Sequence, residues 1–219
     1  MKVLYIGSGL SALQAKTEDY SDHLIICLNN AWRIFEDKKF DIWIHPGDFP
    51  FENYPPRARF YLDITYTEYQ RTAAEACKKL NWNVKFPEHH IGYTSFFQGL
   101  YWIMMDLKPT KIGLLGFDHD YNPQKTEKWI KAECPGIHNG FNKKSESTIK
   151  EWSDNFFQGY EPDFFYGHGT PDPMRQGLGE KHIREKMVLA NGAAQELGID
   201  LVNYSKRPSP YNVFRRESL

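Results

Sequence analysis

The chain has 219 residues, of which 41% are hydrophobic and 16% aromatic, and its formal net charge is −1. A chain of this length is expected to fold as one domain with a substantial core. The near-neutral charge disfavours duplex DNA as a partner, because proteins that bind the phosphate backbone carry a strongly basic face.

The cysteine and hydropathy patterns bear on the compartment. Three widely spaced cysteines predict neither a disulfide framework nor a metal site. The chain enters a strand directly, and no apolar run is long enough to span a membrane, so neither an export signal nor a transmembrane segment is predicted. A cytoplasmic protein is therefore expected.

The first predicted strand, 2–6, runs into the loop Gly7-Ser8-Gly9-Leu10-Ser11 and then into a helix. A glycine loop between a strand and a helix is typical of α/β domains that present backbone N–H groups to a phosphate. The third glycine of the dinucleotide-binding pattern is replaced by Ala12. The loop predicts either a phosphate-binding turn, formed by Gly7, Ser8, Gly9 and Ser11, or a plain strand-to-helix connection.

Two further buried strands are predicted at 23–28 and 40–44, since both are short and apolar. The first of them ends in Asn29 and Asn30, and the second ends in His45. Open α/β sheets bind their ligands at the carboxyl ends of the strands. We therefore assign these three side chains to a nucleotide site, with a simple turn as the alternative interpretation.

A fourth strand at 60–64 and a helix at about 67–80 follow. The next helix, 96–107, is predicted to begin at a cap formed by Thr94 or Ser95. It is apolar nearly all round, so we expect it to be buried against the sheet. The hydroxyl and N–H groups of its first turn are expected at the nucleotide site, unless the cap serves the helix alone.

The strand predicted at 111–117 is followed by Asp118, Asp120 and Tyr121. A carboxylate at the end of a strand opposite the glycine loop is well placed to bind a ribose or a base. The pair Asp118 and Asp120 could instead hold Mn²⁺ or Mg²⁺ against the diphosphate of a nucleotide.

In residues 122–165 the sequence no longer predicts alternating strands and helices, and this segment is rich in aromatic side chains. We expect an inserted lid or small helical subdomain here; a dimer surface is the alternative, which leaves a homo-oligomer open. His168, between two glycines in the loop that follows, is the candidate general base. A helix at 180–197 and a strand at 200–204 complete the pattern.

The elements together predict an α/β fold: a Rossmann-like, open, mostly parallel sheet with helices on both faces, in one nucleotide-binding domain over 1–219. The C-terminal stretch is basic. We expect a solvated basic end, with contacts to a phosphate or a carboxylate as the alternative, at Lys206, Arg207, Arg215 and Arg216.

In their order along the chain, these motifs resemble those of the CMP-sialic acid-dependent sialyltransferases of bacterial surface-glycan synthesis. The resemblance spans nearly the whole chain. The matching motifs are the G-x-G-x-S loop at Gly7 to Ser11, an asparagine at Asn29 or Asn30, the helix start Thr94-Ser95, the strand end Gly116-Phe117-Asp118, and the pair Gly167-His168. His45 stands where the family usually has an asparagine, and Tyr121 is similar to a family tyrosine that stabilises the departing phosphate.

The resemblance implies an inverting glycosyltransferase that uses a CMP-sialic acid-like nucleotide-sugar donor. The glycine loop, the asparagine, Thr94, Ser95 and Asp118 would surround the nucleotide. His168 would take the proton from the hydroxyl of a glycan or other acceptor, and neither a metal nor another cofactor would be needed.

Three other functions remain open from the sequence. A metal-dependent UDP-sugar transferase would use Asp118 and Asp120 to hold Mn²⁺ or Mg²⁺. A pterin-type pyrophosphokinase has a similar fold and glycine loop, and would require ATP and Mg²⁺. A non-catalytic nucleotide-binding module would bind without turnover.

Overall fold

The structure is a computed structural model. It describes residues 1–35, 38–46, 49, 51–64, 75, 78–79, 94–118, 179–207 and 212–218. The predicted insertion, 122–165, lies outside the described residues. So does most of the helix predicted at 67–80, of which residues 75, 78 and 79 are described and helical.

Seven strands form a single sheet, and every neighbouring pair is parallel. In chain order they are β1 (Lys2–Ile6), β2 (His23–Leu28), β3 (Phe40–Ile44), β4 (Phe60–Ile64), β5 (Lys111–Leu115), β6 (Asp200–Asn203) and β7 (Arg215–Arg216). Their spatial order is β4-β3-β2-β1-β5-β6-β7. From β1 the chain adds β2, β3 and β4 towards one edge of the sheet, and then β5, β6 and β7 towards the other edge. The topological switch point, where the direction of winding reverses, therefore lies between β1 and β5.

These strands confirm the predicted open α/β, Rossmann-like fold. The central strands β1, β2 and β5 are apolar after their first residue because both of their faces are covered, and the side chains from Val3 to Ile6 are fully buried. β5 ends at Leu115, two residues before the predicted end. The reason is that Gly116 adopts a φ of 76° and turns the chain out of the sheet.

Two α-helices contribute to the core on one face of the sheet. α1 (Ser95–Trp102) continues as a π-helical turn, Ile103–Leu107, and α2 is Gly179–Glu196. The buried side chains of Phe97, Tyr101 and Met187 join this core. The predicted cap of α1 is confirmed, since the Thr94 Oγ1 atom accepts a hydrogen bond from the Phe97 N–H at 3.4 Å.

The opposite face packs against two short 3₁₀ helices, Leu10–Lys16 and Asn29–Phe35. The helix expected after the glycine loop is therefore present, but it is a 3₁₀ helix of seven residues. Ala12, Ala31 and Ile34 from these two helices are buried beneath them. Within the described part of the chain, no helix has the length and apolar character needed to cross a membrane.

Candidate functional site

The segments that leave β2, β1 and β5 lie side by side at one edge of the sheet. Ile6 pairs with Cys27 on one side and with Leu115 on the other. The glycine loop, Asn29 and Gly116 therefore begin at nearly the same level. This edge is the switch point, where open α/β sheets bind their ligands.

The glycine loop crosses the end of β5 at close range. The Gly7 N–H donates to the Leu115 carbonyl and the Gly9 N–H to the Gly116 carbonyl, both at 2.8 Å. A Cβ atom on Gly7 would lie 2.5 Å from the Gly116 oxygen and from the Phe117 ring, and one on Gly116 would lie 2.3 Å from the Gly7 oxygen. Both glycines are thus required by this crossing, whatever else the loop binds.

A buried carboxylate joins the loop to the rest of the edge. Asp118 is 4% exposed, and its Oδ2 atom accepts a hydrogen bond from the Ser11 N–H at 2.8 Å. Its Oδ1 atom accepts one from the Ser205 hydroxyl at 3.1 Å, and the Arg207 Nε atom lies 3.9 Å from Oδ2. The Ser11 hydroxyl in turn accepts from the Gly116 N–H at 2.8 Å. Asp118 therefore links three loops, and both of its oxygens already have donors.

Two amides of the glycine loop are left for a ligand. Within the described residues, neither the Ser8 N–H nor the Leu10 N–H donates a hydrogen bond, and both residues are half-buried. Backbone N–H groups that are out of contact with protein acceptors suit an anion such as a phosphate. The Ser8 and Leu10 amides therefore remain candidates for the predicted phosphate contact, whereas the Ser11 N–H donates to Asp118 instead.

The structure distinguishes between the two asparagines that follow β2. Asn29 has a left-handed backbone with a φ of 50°, and its carbonyl accepts from the Trp43 Nε1–H at 3.0 Å. Its Oδ1 atom is buried and has no hydrogen-bond partner among the described residues. Asn30, by contrast, accepts a hydrogen bond from Arg33 at 3.1 Å. A buried acceptor without a donor costs free energy, which a ligand donor would recover at Asn29.

His45 is buried at the end of β3 and fully occupied by the protein. Its Nδ1 atom lies 2.9 Å from the Pro46 carbonyl oxygen, and its Nε2 atom lies 3.0 Å from Asp63 Oδ1. The ring also stacks on Trp43 with 3.9 Å between centroids, and the residue is only 3% exposed. In this structure the side chain ties β3 to β4 and leaves neither ring nitrogen for a nucleotide.

The first turn of α1 is held next to the glycine loop by aromatic side chains. The Tyr5 hydroxyl donates to the carbonyls of Ser95 and Phe96, each at 3.3 Å, and burial raises the pKa of Tyr5 well above its usual range, so the group is a neutral donor. The Phe117 ring lies 4.5 Å from the ring of Phe96 and would contact any side chain on Gly7. Thr94 and Ser95 therefore lie at the same edge as the loop, as predicted.

Three of the candidate residues, Asp120, Tyr121 and His168, lie outside the described residues. Their proposed roles in chemistry and metal binding therefore rest on the sequence. The described part of the chain contains no group of three or more His, Cys, Asp or Glu side chains arranged to hold a metal ion.

Ser205 was not identified from the sequence, and Arg207 was interpreted as part of a solvated end. The signal that could have found both is their position directly after β6, whose carboxyl end meets the same edge as β5. The side chains of Lys206, Arg207, Arg215 and Arg216 are exposed, as expected for a solvated end, and two of them also contact a carboxylate, which was the alternative. The ammonium of Lys206 contacts Glu18, and Arg215 contacts Asp200 at 2.8 Å.

The candidate site is the edge between β1 and β5, with two loop amides that have no acceptor among the described residues, the Asn29 side-chain oxygen and the half-buried ring of Phe117. Amides and an aromatic face in one place suit a ligand with an anionic group and a ring. Comparisons with protein-family models, curated proteins and solved structures found no match for this chain.

Proposed function

We propose that the protein is a glycosyltransferase that binds a nucleotide sugar between β1 and β5 and transfers the sugar, with inversion, to an acceptor hydroxyl. The observation that carries this proposal is the convergence, at the switch point, of polar groups that have no hydrogen-bond partner among the described residues. These groups are the amides of Ser8 and Leu10 and the Asn29 Oδ1 atom. Polar groups that lack protein partners at this point of an α/β sheet are expected to serve a ligand.

Each group suits a different part of a nucleotide. The amides of Ser8 and Leu10 would donate to a phosphate oxygen. Asn29 Oδ1 would accept from an N–H of the base or an O–H of the ribose. Phe117 would offer its ring for stacking, since it is partly exposed beside the loop.

The chemistry assigned to this site follows the resemblance. His168 would accept the proton of the acceptor hydroxyl while that oxygen attacks the anomeric carbon of the donor. The bond from this carbon to the phosphate oxygen breaks as the new bond forms on the opposite face, which inverts the configuration. The donor is proposed to be CMP-sialic acid-like, the acceptor a glycan or other hydroxyl-bearing molecule, and the compartment the cytoplasm.

The first experiment is a calorimetric and thermal-shift panel of CMP, CDP, UDP, GDP, ADP, ATP and their common sugar conjugates, each with Mn²⁺ and with EDTA. A ligand at 100 times its Kd stabilises the folded state by about 2.7 kcal/mol, so moderate affinity is detectable. We expect CMP or CMP-sialic acid to stabilise the protein without metal. Stabilisation by UDP only with Mn²⁺ would favour the metal-dependent transferase, and ATP turnover with AMP release would favour the pyrophosphokinase. No response to any nucleotide would overturn the proposal.

Turnover is then tested with His168→Ala and, as a matched control, His182→Ala. Sugar transfer from the donor that binds should fall by about 100-fold or more in the first variant, because a positioned general base contributes at least that factor. Donor binding should be retained. Equal activity in both variants would remove His168 from the mechanism, and binding without any wild-type turnover would indicate a binding module.

A further inference from the structure

Arg207 lies at the candidate site, and its guanidinium makes no side-chain hydrogen bond to the described residues. Tyr204 follows β6 and donates from its N–H to the Leu114 carbonyl at 3.0 Å, which keeps the outgoing chain beside β5. The Arg207 N–H then donates to the Ser205 Oγ atom at 3.1 Å, and this same hydroxyl donates to Asp118. The position of Arg207 is thus fixed through the carboxylate that also holds the Ser11 amide.

The guanidinium makes only a weak contact of its own. Its Nε atom lies 3.9 Å from Asp118 Oδ2, beyond hydrogen-bond distance, and the side chain is 44% exposed. Within the described residues, no side-chain nitrogen of Arg207 donates a hydrogen bond. Since a guanidinium carries five N–H donors in a planar fork, it remains able to bind an anion through two of them.

Two other cations of this C-terminal stretch, Lys206 and Arg215, each contact a carboxylate directly. The Lys206 ammonium contacts Glu18, and the Lys206 N–H donates to Gln14 at 2.8 Å. Arg215 binds Asp200 through two hydrogen bonds, at 2.8 and 3.0 Å. Arg207 therefore differs from both: its charge lies beside Asp118 near the glycine loop, and among the described residues no carboxylate accepts a hydrogen bond from it.

The negative charge of Asp118 indicates what the guanidinium of Arg207 could do in the site. An anionic ligand at the Ser8 and Leu10 amides would approach the buried carboxylate of Asp118, which repels it. The positive charge of Arg207 lies next to that carboxylate and offsets the repulsion. Arginine also matches the geometry of phosphate oxygens better than lysine does.

We propose that Arg207 binds the phosphate group of the ligand, opposite the amides of Ser8 and Leu10. The inference rests on the proposed nucleotide site and adds to it the residue that recognises the phosphate. The ligand class is a phosphate ester, bound through at least one non-bridging phosphate oxygen. Asp118 acts as a positioning residue that holds the loop and Arg207 in register.

The test compares Arg207→Gln with Lys206→Gln, which removes an equal charge from the adjacent residue. Calorimetry measures the Kd of CMP, UDP and inorganic pyrophosphate, and of cytidine and uridine as probes without phosphate. We expect Arg207→Gln to weaken the binding of whichever phosphate probes the wild type binds by about 30-fold, and Lys206→Gln by about twofold or less. Binding of the nucleosides should not change in either variant. Arg207→Lys should recover part of the loss, because it restores the charge without the fork.

The outcomes separate this inference from the proposed function. Equal weakening by Arg207→Gln and Lys206→Gln, or no weakening by either, would overturn the role of Arg207 while leaving the nucleotide site intact. A selective loss in Arg207→Gln, in a protein that transfers no sugar from any donor, would uphold the phosphate site and overturn the glycosyltransferase. A wild type that binds none of the phosphate probes would overturn both. The thermal midpoints of the variants check folding, and we expect them to stay near the wild-type value because the side chain is exposed.

Discussion

The backbone N–H of Ser11 donates a 2.8 Å hydrogen bond to the buried carboxylate of Asp118, 107 positions away in the chain. This contact fastens the start of the first 3₁₀ helix to the end of β5. The Asp118 carboxylate thus accepts the hydrogen bond of an N–H group that the sequence pattern predicted to bind a phosphate. In the proposed site, an incoming phosphate would therefore have to bind through the amides of Ser8 and Leu10 and through Arg207, beside the carboxylate of Asp118.

Replacing Asp118 tests this arrangement. Asp118→Ala should lower the free energy of unfolding by about 2–4 kcal/mol, because the Ser11 N–H would be buried without its acceptor and the Ser205 hydroxyl would keep only the Arg207 carbonyl, at 3.5 Å. Urea denaturation measures the change. The control is Asp200→Ala, which removes an exposed carboxylate that pairs with Arg215 and should cost about 1 kcal/mol or less. Similar losses in the two variants would contradict the role given to Asp118.

The contact between Tyr5 and Gly99 predicts a non-additive pair of substitutions. A Cβ atom on Gly99 would lie 2.3 Å from the Tyr5 hydroxyl oxygen, so Gly99→Ala should destabilise the fold by about 1–3 kcal/mol. In a Tyr5→Phe background the nearest remaining atom is the ring carbon Cζ, at 3.0 Å, and most of this cost should disappear. A double-mutant cycle by chemical denaturation measures the coupling. Additive effects would show that the hydroxyl does not set the position of α1.

The burial of His23 leads to a prediction of how the stability of the protein depends on pH. The ring is buried, and desolvation lowers its pKa from 6.5, although Asp22 at 2.6 Å opposes the shift. The unfolded chain therefore binds the proton more tightly, so the stabilising contribution is full above about pH 6.5 and is lost as the pH falls from there through the lowered pKa of the folded state.

His23→Gln, which has no titrating ring, serves as the comparison. We expect the difference in unfolding free energy between the wild type and this variant to shift against the wild type when the pH is lowered from about 7.5 to about 5.5. Urea titrations at the two pH values measure it. A pH-independent difference, or one that moves in favour of the wild type at low pH, would contradict the prediction.

Replacing Asn29 is expected to weaken the binding of the nucleotide without lowering the stability of the protein. Asn29→Gly removes the Oδ1 atom, which has no hydrogen-bond partner among the described residues, while glycine adopts the φ of 50° freely. The Kd of the nucleotide that stabilises the wild type should rise by about 10-fold, which corresponds to one hydrogen bond, and the thermal midpoint should not fall. Asn30→Ala is the matched control, since it loses a contact with Arg33 and should keep the affinity. Weaker nucleotide binding in Asn30→Ala than in Asn29→Gly would reverse the assignment of the two asparagines.

The strands of the sheet could be predicted from the sequence because burial on both faces requires a continuous run of apolar residues, which is visible locally. Strands such as 23–28 and 40–44 are short apolar runs bounded by polar turns, and the structure reproduces their limits. The cap at Thr94 was predictable for a similar reason, since a capping hydroxyl acts on an amide three residues away. The sequence also predicted that the candidate site residues follow the carboxyl ends of the strands, and the described ones lie there.

The partners of individual side chains could not be derived in this way, because they join residues that are distant in sequence. The chain alone does not show that Asp118 takes the Ser11 amide, that His45 is occupied by Pro46 and Asp63, or that Asn29 and Asn30 differ. Local patterns therefore determine which segments become strands and where polar residues emerge from the sheet. Which of those polar groups remain available to a ligand depends on the register and packing of neighbouring strands, since every contact made inside the protein removes a donor or an acceptor from the site.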